Sequence, residues 1–158
     1  MYIIYGLIFI FFLTIDQITK YFAVALLQGN PSVHLIGNFL RFTYVENRGA
    51  AFGILQNQRL FFIISTVVLV AFLIYMIVFN KKVTTATKLT LSLILSGAIG
   101  NFIDRLRLGY VIDFVDVRFG DFYDFPVFNV ADSCLVVGVI ILVILILFNK
   151  FEKSENKV

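Results

Sequence analysis

Four long apolar stretches decide what this chain can be. They cover about residues 2–27, 60–79, 89–106 and 130–148. A helix rises about 1.5 Å per residue, so a bilayer core of about 30 Å needs roughly 20 residues. The first, second and fourth stretches meet that length alone. The third is apolar from Leu89 to Ile103 and continues as a helix through Asp104, Arg105 and Leu106. Composition closes off the alternatives. Hydrophobic residues make up 60% and charged residues 15% of the 158, against about 45–50% and about 25% in ordinary globular chains. A soluble domain of this size has too little interior to hide so much apolar surface, and a disordered chain has far less of it. The expectation is an all-α polytopic membrane protein with four transmembrane helices. It forms one membrane domain over 1–149, followed by a polar tail over 150–158.

The first stretch lacks a basic start and a small-residue cleavage site, and it contains Asp16 and Lys20. It therefore reads as a span and not as a cleavable signal. Six of the seven lysines fall in two places: Lys81, Lys82 and Lys88 between spans two and three, and Lys150, Lys153 and Lys157 after span four. The positive-inside rule makes both places, and both termini, cytoplasmic. Segments 28–59 and 107–129 then face outward. The net charge of +3 is spent on topology, with no pattern for nucleic acid. In the first outer segment, Gly29, Asn30 and Pro31 make a turn, and 39–45 is rich in β-branched and aromatic residues. A small extracellular β-element is expected there.

One Cys and one His exclude an intramolecular disulfide and argue against a His/Cys metal site. No metal and no cofactor are expected. Cys134 has only His34 as a candidate base and reads as inert.

An ionisable group inside a span costs at least ~2.5–3.5 kcal/mol at the membrane centre, so each one calls for a reason. Asp16 and Lys20 are four apart on one helical face and read as a structural ion pair. Ser92, Ser96 and Gly100 recur every four residues, a small-residue face for close helix packing. Asn101, Asp104 and Arg105 form a polar cluster near the outer end of span three, either a capped helix end or the wall of a site. Asn129 and Asp132 open span four, where both are suited to satisfying a helix N-terminus. Asp104, Asp113 and Asp132 thus gather at one depth, together with the outer-loop residues Asp116, Asp121 and Asp124. Two close carboxylates cannot both ionise. One takes a proton from water while the other polarises a carbonyl, which is aspartic protease chemistry. Spacing alone leaves the pairing open, and leaves open an ion-conducting cluster. Strand alternation sends Asp113 and Asp116 to opposite faces. Asp116, Asp121 and Asp124 are read as solvated loop charges.

Four segments together resemble the lipoprotein signal peptidases, or type II signal peptidases. They are Asp16-Gln17-Ile18-Thr19-Lys20; Asn47-Arg48-Gly49-Ala50-Ala51-Phe52; Gly97-Ala98-Ile99-Gly100-Asn101-Phe102-Ile103-Asp104-Arg105 with Val111-Ile112-Asp113-Phe114; and Phe125-Pro126-Val127-Phe128-Asn129-Val130-Ala131-Asp132-Ser133. They occur in that family's order and cover nearly the whole chain. The resemblance implies a membrane aspartic endopeptidase of bacterial cytoplasmic membranes. Its substrates are prolipoproteins, cut just before a cysteine that already carries diacylglyceryl. It implies catalytic Asp113 and Asp132, and substrate contacts from Asn47, Asn101, Arg105 and Asn129. Structural support falls to Asp16, Lys20, Gly49 and Asp104. It further implies an extracellular β-cradle, a mobile loop over the site, membrane lipid as partner and a monomer. The main rival from composition is an ion- or proton-coupled transporter subunit. It requires charge throughout the membrane depth, whereas the inner halves of spans three and four hold almost none.

Overall fold

The computed structural model describes residues 2–49, 54–120 and 122–153. Ala50, Ala51 and Phe52 of the second motif, Asp121 and the tail 154–158 lie outside the described residues.

Four helices are long and apolar enough to cross a membrane: α1 (Tyr2–Leu27), α2 (Arg59–Val78), α3 (Thr85–Arg107) and α4 (Val130–Leu147). Between them lie β1 (Val33–Ile36), β2 (Leu40–Asn47), β3 (Val111–Phe119) and β4 (Tyr123–Asp124), one antiparallel sheet in that order. The expected strand over 39–45 is β2. The sheet is larger than expected because segment 107–129 supplies its longest strand.

Helix α3 is the centre of the bundle and packs against the other three. Its sequence shows why. Mean hydropathy over its most apolar 18 residues is 1.3, against 2.9 and 3.0 for α2 and α4. Small residues line its contacts, with Ser92, Ser96, Gly97 and Gly100 all buried. A methyl group at Gly97 would strike the Ala131 carbonyl and Leu135, and one at Gly100 would strike the Asp16 carboxylate and Ala131. Close approach of α1 and α4 to α3 thus requires glycine at both positions. Helices α2 and α4 instead expose apolar side chains such as Val68, Phe72, Ile140 and Ile144, the surface a lipid environment covers.

The start of α3 corrects one expectation. Lys88 is not in the connection between spans two and three. It lies inside α3 and is buried, with its ammonium 5.7 Å from the centre of the Tyr2 ring. The helix begins early because the Thr84 side chain accepts a hydrogen bond from the Thr87 N–H and caps it. Spans two and four differ from expectation by a residue at their ends, as helix ends do.

Two local features aim the sheet at the helix ends. Gly109, at φ +87°, turns the chain directly from α3 into β3. The turn is anchored where the Ile112 N–H donates to Asp104 Oδ2 at 3.2 Å. In β2, register slips between Phe42 and Val45, where three steps on β2 match two on β3. Arg41 lies opposite Asp116 while Val45 lies opposite Asp113. Arg41 and Asn47 are six residues apart and would share a face in a regular strand. The bulge reverses that parity, so Asn47 joins Asp113 and not Asp116.

Candidate active site

The site is built where α1, α3, β3 and α4 meet, at the end of the bundle that carries the sheet. A cleft of about 830 Å³ opens there. Asn47, Asn101, Arg105, Asp113 and Asp132 line it, facing an apolar wall from Phe125 to Phe128 and from Leu135 to Val137.

Asp113 is buried on β3 and Asp132 stands in the first turn of α4. Three asparagines hold this pair, and each has its amide orientation fixed by a group that can only donate. The Asn47 Oδ1 accepts from the Gly49 N–H at 3.0 Å, so its Nδ2 turns to Asp113 Oδ2 at 2.9 Å. The Asn129 Oδ1 accepts from the Asp132 N–H at 2.9 Å, so its Nδ2 reaches Asp113 Oδ1 at 2.7 Å. The Asn101 Oδ1 accepts from the Lys20 ammonium at 3.0 Å, so its Nδ2 reaches Asp132 Oδ1 at 2.7 Å. The last oxygen, Asp132 Oδ2, accepts from the Asn129 backbone N–H at 3.1 Å. Every carboxyl oxygen of the pair therefore receives an N–H, and among the described residues no cation forms a salt bridge with either group.

Asn129 and Asp132 also form a reciprocal capping box at the start of α4. The helix-cap reading and the site reading are one arrangement. The cap sets both side chains, and the spare Asn129 N–H group bridges to Asp113. The Asp113 carboxyl is pushed up to about 7, first by burial and then by repulsion from Asp132. Hydrogen bonds from Asn47 and Asn129 oppose that rise.

Beside this pair lies a closed ionic cluster. The Lys20 ammonium meets Asp16 Oδ2 at 3.1 Å, Asp104 Oδ2 at 2.9 Å and the Asn101 oxygen. Asp16 Oδ1 accepts from the Ala131 N–H at 2.8 Å, tying α1 to the first turn of α4. Asp104 is thus neither a helix cap nor a site wall. It anchors Lys20 on one side and the start of β3 on the other.

Arg105 lies along the cleft with its guanidinium 4.5 Å from the centre of the Phe62 ring. It donates to the Gly49 carbonyl at 3.1 Å, so Gly49 is held from both Asn47 and Arg105. Arg59 adds a contact with no clear sequence signal: it donates to the carbonyls of Arg105 and Leu106, both at 2.8 Å, and closes the end of α3.

The outer acidic residues divide. Asp124 is largely exposed beside Arg118, as expected of a loop charge. Asp116 overturns the same expectation. It is buried, accepting from Arg41 Nε at 2.9 Å and from the Thr43 hydroxyl. The reason is strand β3. Within segment 107–129, Val111–Phe119 is a paired strand where the sequence suggests a loop, and Asp116 is covered on its far face by Arg41 and Thr43. Asp113 and Asp116 do take opposite faces. Glu46 and Gln56 also line the cleft, and nothing in their local sequence marks them for it.

Among the described residues, no group of three or more His, Cys, Asp or Glu is arranged to hold a metal. Cys134 is buried.

Comparison with known proteins adds a family. A family model for signal peptidase (SPase) II matches residues 8–148. The lipoprotein signal peptidase of Caldanaerobacter subterraneus subsp. tengcongensis is 52% identical over 139 residues, covering 87% of this chain and 92% of that protein. The lipoprotein signal peptidase of Staphylococcus aureus (strain JH9) is 40% identical over 153 residues, covering 96% and 93%. A bacterial membrane enzyme solved by the in meso method superposes with a TM-score of 0.83 at 38% identity, over 98% of this chain and 93% of that one.

Proposed function

Since the chain belongs to the signal peptidase II family, we propose that it cleaves prolipoproteins by aspartic chemistry, with Asp113 and Asp132 as the catalytic pair. The observation that carries the reading is the shared cradle. Two carboxyl groups from different elements are bridged by Asn129 and line one cleft that no other described aspartate lines.

The pair works with one proton. Asp113, pushed up to about 7, holds it, and Asp132 is the base. Asp132 takes a proton from a water as the water oxygen bonds to the scissile carbonyl carbon. Asp113 gives its proton to the carbonyl oxygen. The tetrahedral intermediate then collapses. The C–N bond breaks, the leaving nitrogen takes the proton from Asp132, and Asp113 recovers its own from the intermediate. Asn101 and Asn129 keep the carboxyls in register during both transfers. Arg105 and Asn47 stand along the cleft, where an extended substrate backbone needs donors.

The substrate is a prolipoprotein whose cysteine carries diacylglyceryl. The support is the apolar side of the cleft, where Val136 and Val137 continue onto the exposed flank of α4. Acyl chains on that flank stay in lipid while the peptide bond reaches the carboxyl pair. The lysine distribution supports termini on the cytoplasmic side and a site at the outer face of a bacterial cytoplasmic membrane. The protein works as a monomer in this reading, since the site is assembled from one chain.

A gel-shift assay on the purified protein in detergent tests the substrate. A prolipoprotein is offered with and without prior diacylglyceryl transfer. Cleavage of the lipidated form alone, before its cysteine, is expected. Equal cleavage of both forms, or of neither by folded protein, overturns the proposal.

A further inference from the structure

Lys20 sits beside the carboxyl pair without touching it. Its side chain is 3% exposed, and it has three acceptors, one for each ammonium N–H: Asp16, Asp104 and Asn101. Two of these explain an ion cluster that fastens helices together. The third does not. A carboxamide can face either way, and in most settings the choice costs little. Here an ammonium has no lone pair, so Asn101 must turn its oxygen to Lys20. Its nitrogen must then turn to Asp132, 2.7 Å away. The same oxygen accepts from Asn129 Nδ2 at 3.1 Å, the group that also holds Asp113. The cation thereby sets the polarity of the Asn101 contact to Asp132, while the Asn129 contact to Asp113 is set by the Asp132 backbone N–H.

We propose that Lys20 is a positioning residue for the reaction: it locks the Asn101 amide so that Asp132 is always offered a donor. The inference rests on the reading of Asp132 as the base. Without the lock, the Asn101 oxygen keeps only Asn129 Nδ2, whose two hydrogens are shared with Asp113 and the Ile112 carbonyl, and the amide can turn that oxygen toward Asp132. Two acceptors then face each other unless Asp132 takes up a proton, and a protonated Asp132 cannot receive one from water. The groups bearing on this charge come from every neighbouring element. They are Asp16 on α1, Asp104 and Arg105 on α3, Asp113 on β3, Asp132 on α4 and Glu46 on β2.

Two variants separate positioning from structure. Lys20→Met keeps most of the length of the side chain and removes the cation, but leaves two buried carboxylates uncompensated. The triple variant Lys20→Met, Asp16→Asn, Asp104→Asn removes both charges as well. It keeps an oxygen for the N–H groups of Ala131 and Ile112, so its fold does not hinge on the cation. The assay is cleavage of lipidated prolipoprotein by the full chain, with Asp132→Asn in parallel. In either variant kcat is expected to fall about 10- to 100-fold, the cost of a misplaced catalytic group, while KM stays within about threefold. Lys20→Met also moves the limb of the pH–rate profile that belongs to Asp113 to higher pH, because the Lys20 charge favours ionised Asp113.

Adding Asn101→Ala to the triple variant is expected to cost little more, although Asn101→Ala alone costs as much as the triple. That non-additivity is the signature of one residue acting through another. A folded triple variant with wild-type kcat, or an Asn101→Ala loss of equal size in both backgrounds, sinks the proposal. Should Asp132→Asn itself keep wild-type activity, the fault lies in the catalytic reading and the lock falls with it.

Discussion

Four aspartates lie within a few side chains of one another at the sheet end of the bundle, and they form two unlike pairs. Asp16 and Asp104 share the Lys20 ammonium and accept backbone N–H groups from Ala131 and Ile112. Asp113 and Asp132 receive amide hydrogen bonds, one N–H per oxygen, and no salt bridge from a cation among the described residues. A cation compensates a buried charge fully and makes it inert. Neutral donors leave a carboxyl ready to gain or lose a proton. In the proposed function one pair holds helices together and the other does the chemistry, although the residue type is the same.

That contrast can be broken by substitution. The largest expected effect on stability is at the cation-bound pair. Asp104→Ala leaves the Lys20 charge with one carboxylate fewer, and breaking a buried ion pair costs about 3–5 kcal/mol. Thermal unfolding in detergent reads this as a large drop in midpoint. A variant that melts with the wild type would remove the distinction between the pairs.

A smaller loss is expected from Asn129→Ala. It takes away a helix cap worth about 1 kcal/mol. The same change frees Asp113 from its bridge, so activity should fall far more than stability. Equal losses in both would make Asn129 a cap alone.

The titration of Asp113 gives an effect of opposite sign. Its folded value of about 7 lies above the unfolded value near 3.8. A carboxyl raised in this way contributes stability fully below the unfolded value, and loses it as pH rises through about 7. Asp113→Asn should therefore melt above the wild type at pH 8, with the advantage shrinking toward pH 4. A variant less stable than wild type at pH 8 contradicts this. The smallest effect is at Asp124, exposed beside Arg118, where Asp124→Ala should change stability by less than about 1 kcal/mol.

Much of this was legible in the sequence, and for physical reasons. Spans of about 20 apolar residues leave little choice in a membrane, and lone charges within them advertise partners. Asp16 and Lys20, four apart, do pair. The family expected from the four motifs is the one that matches residues 8–148. The pairing of Asp113 with Asp132 was available only through that resemblance, because it depends on two features that local sequence does not encode. One is the bulge in β2 that swings Asn47 into the cleft. The other is the length of β3, which buries Asp116 against Arg41 and removes it from the loop charges. Lys88 falls inside α3 and not in the connection before it, because the Thr84 cap starts the helix ahead of the apolar run. The amide polarity set by Lys20 needs three-dimensional neighbours and could not be read from spacing.

The central claim is that Asp113 and Asp132 act together. Single-turnover cleavage of a diacylglyceryl prolipoprotein by Asp113→Asn and Asp132→Asn, each checked for wild-type folding, tests it most directly. The account predicts that each variant loses at least about 1,000-fold in rate, because removing one member of a coupled acid–base pair disables both. Cleavage near the wild-type rate by either folded variant would contradict it.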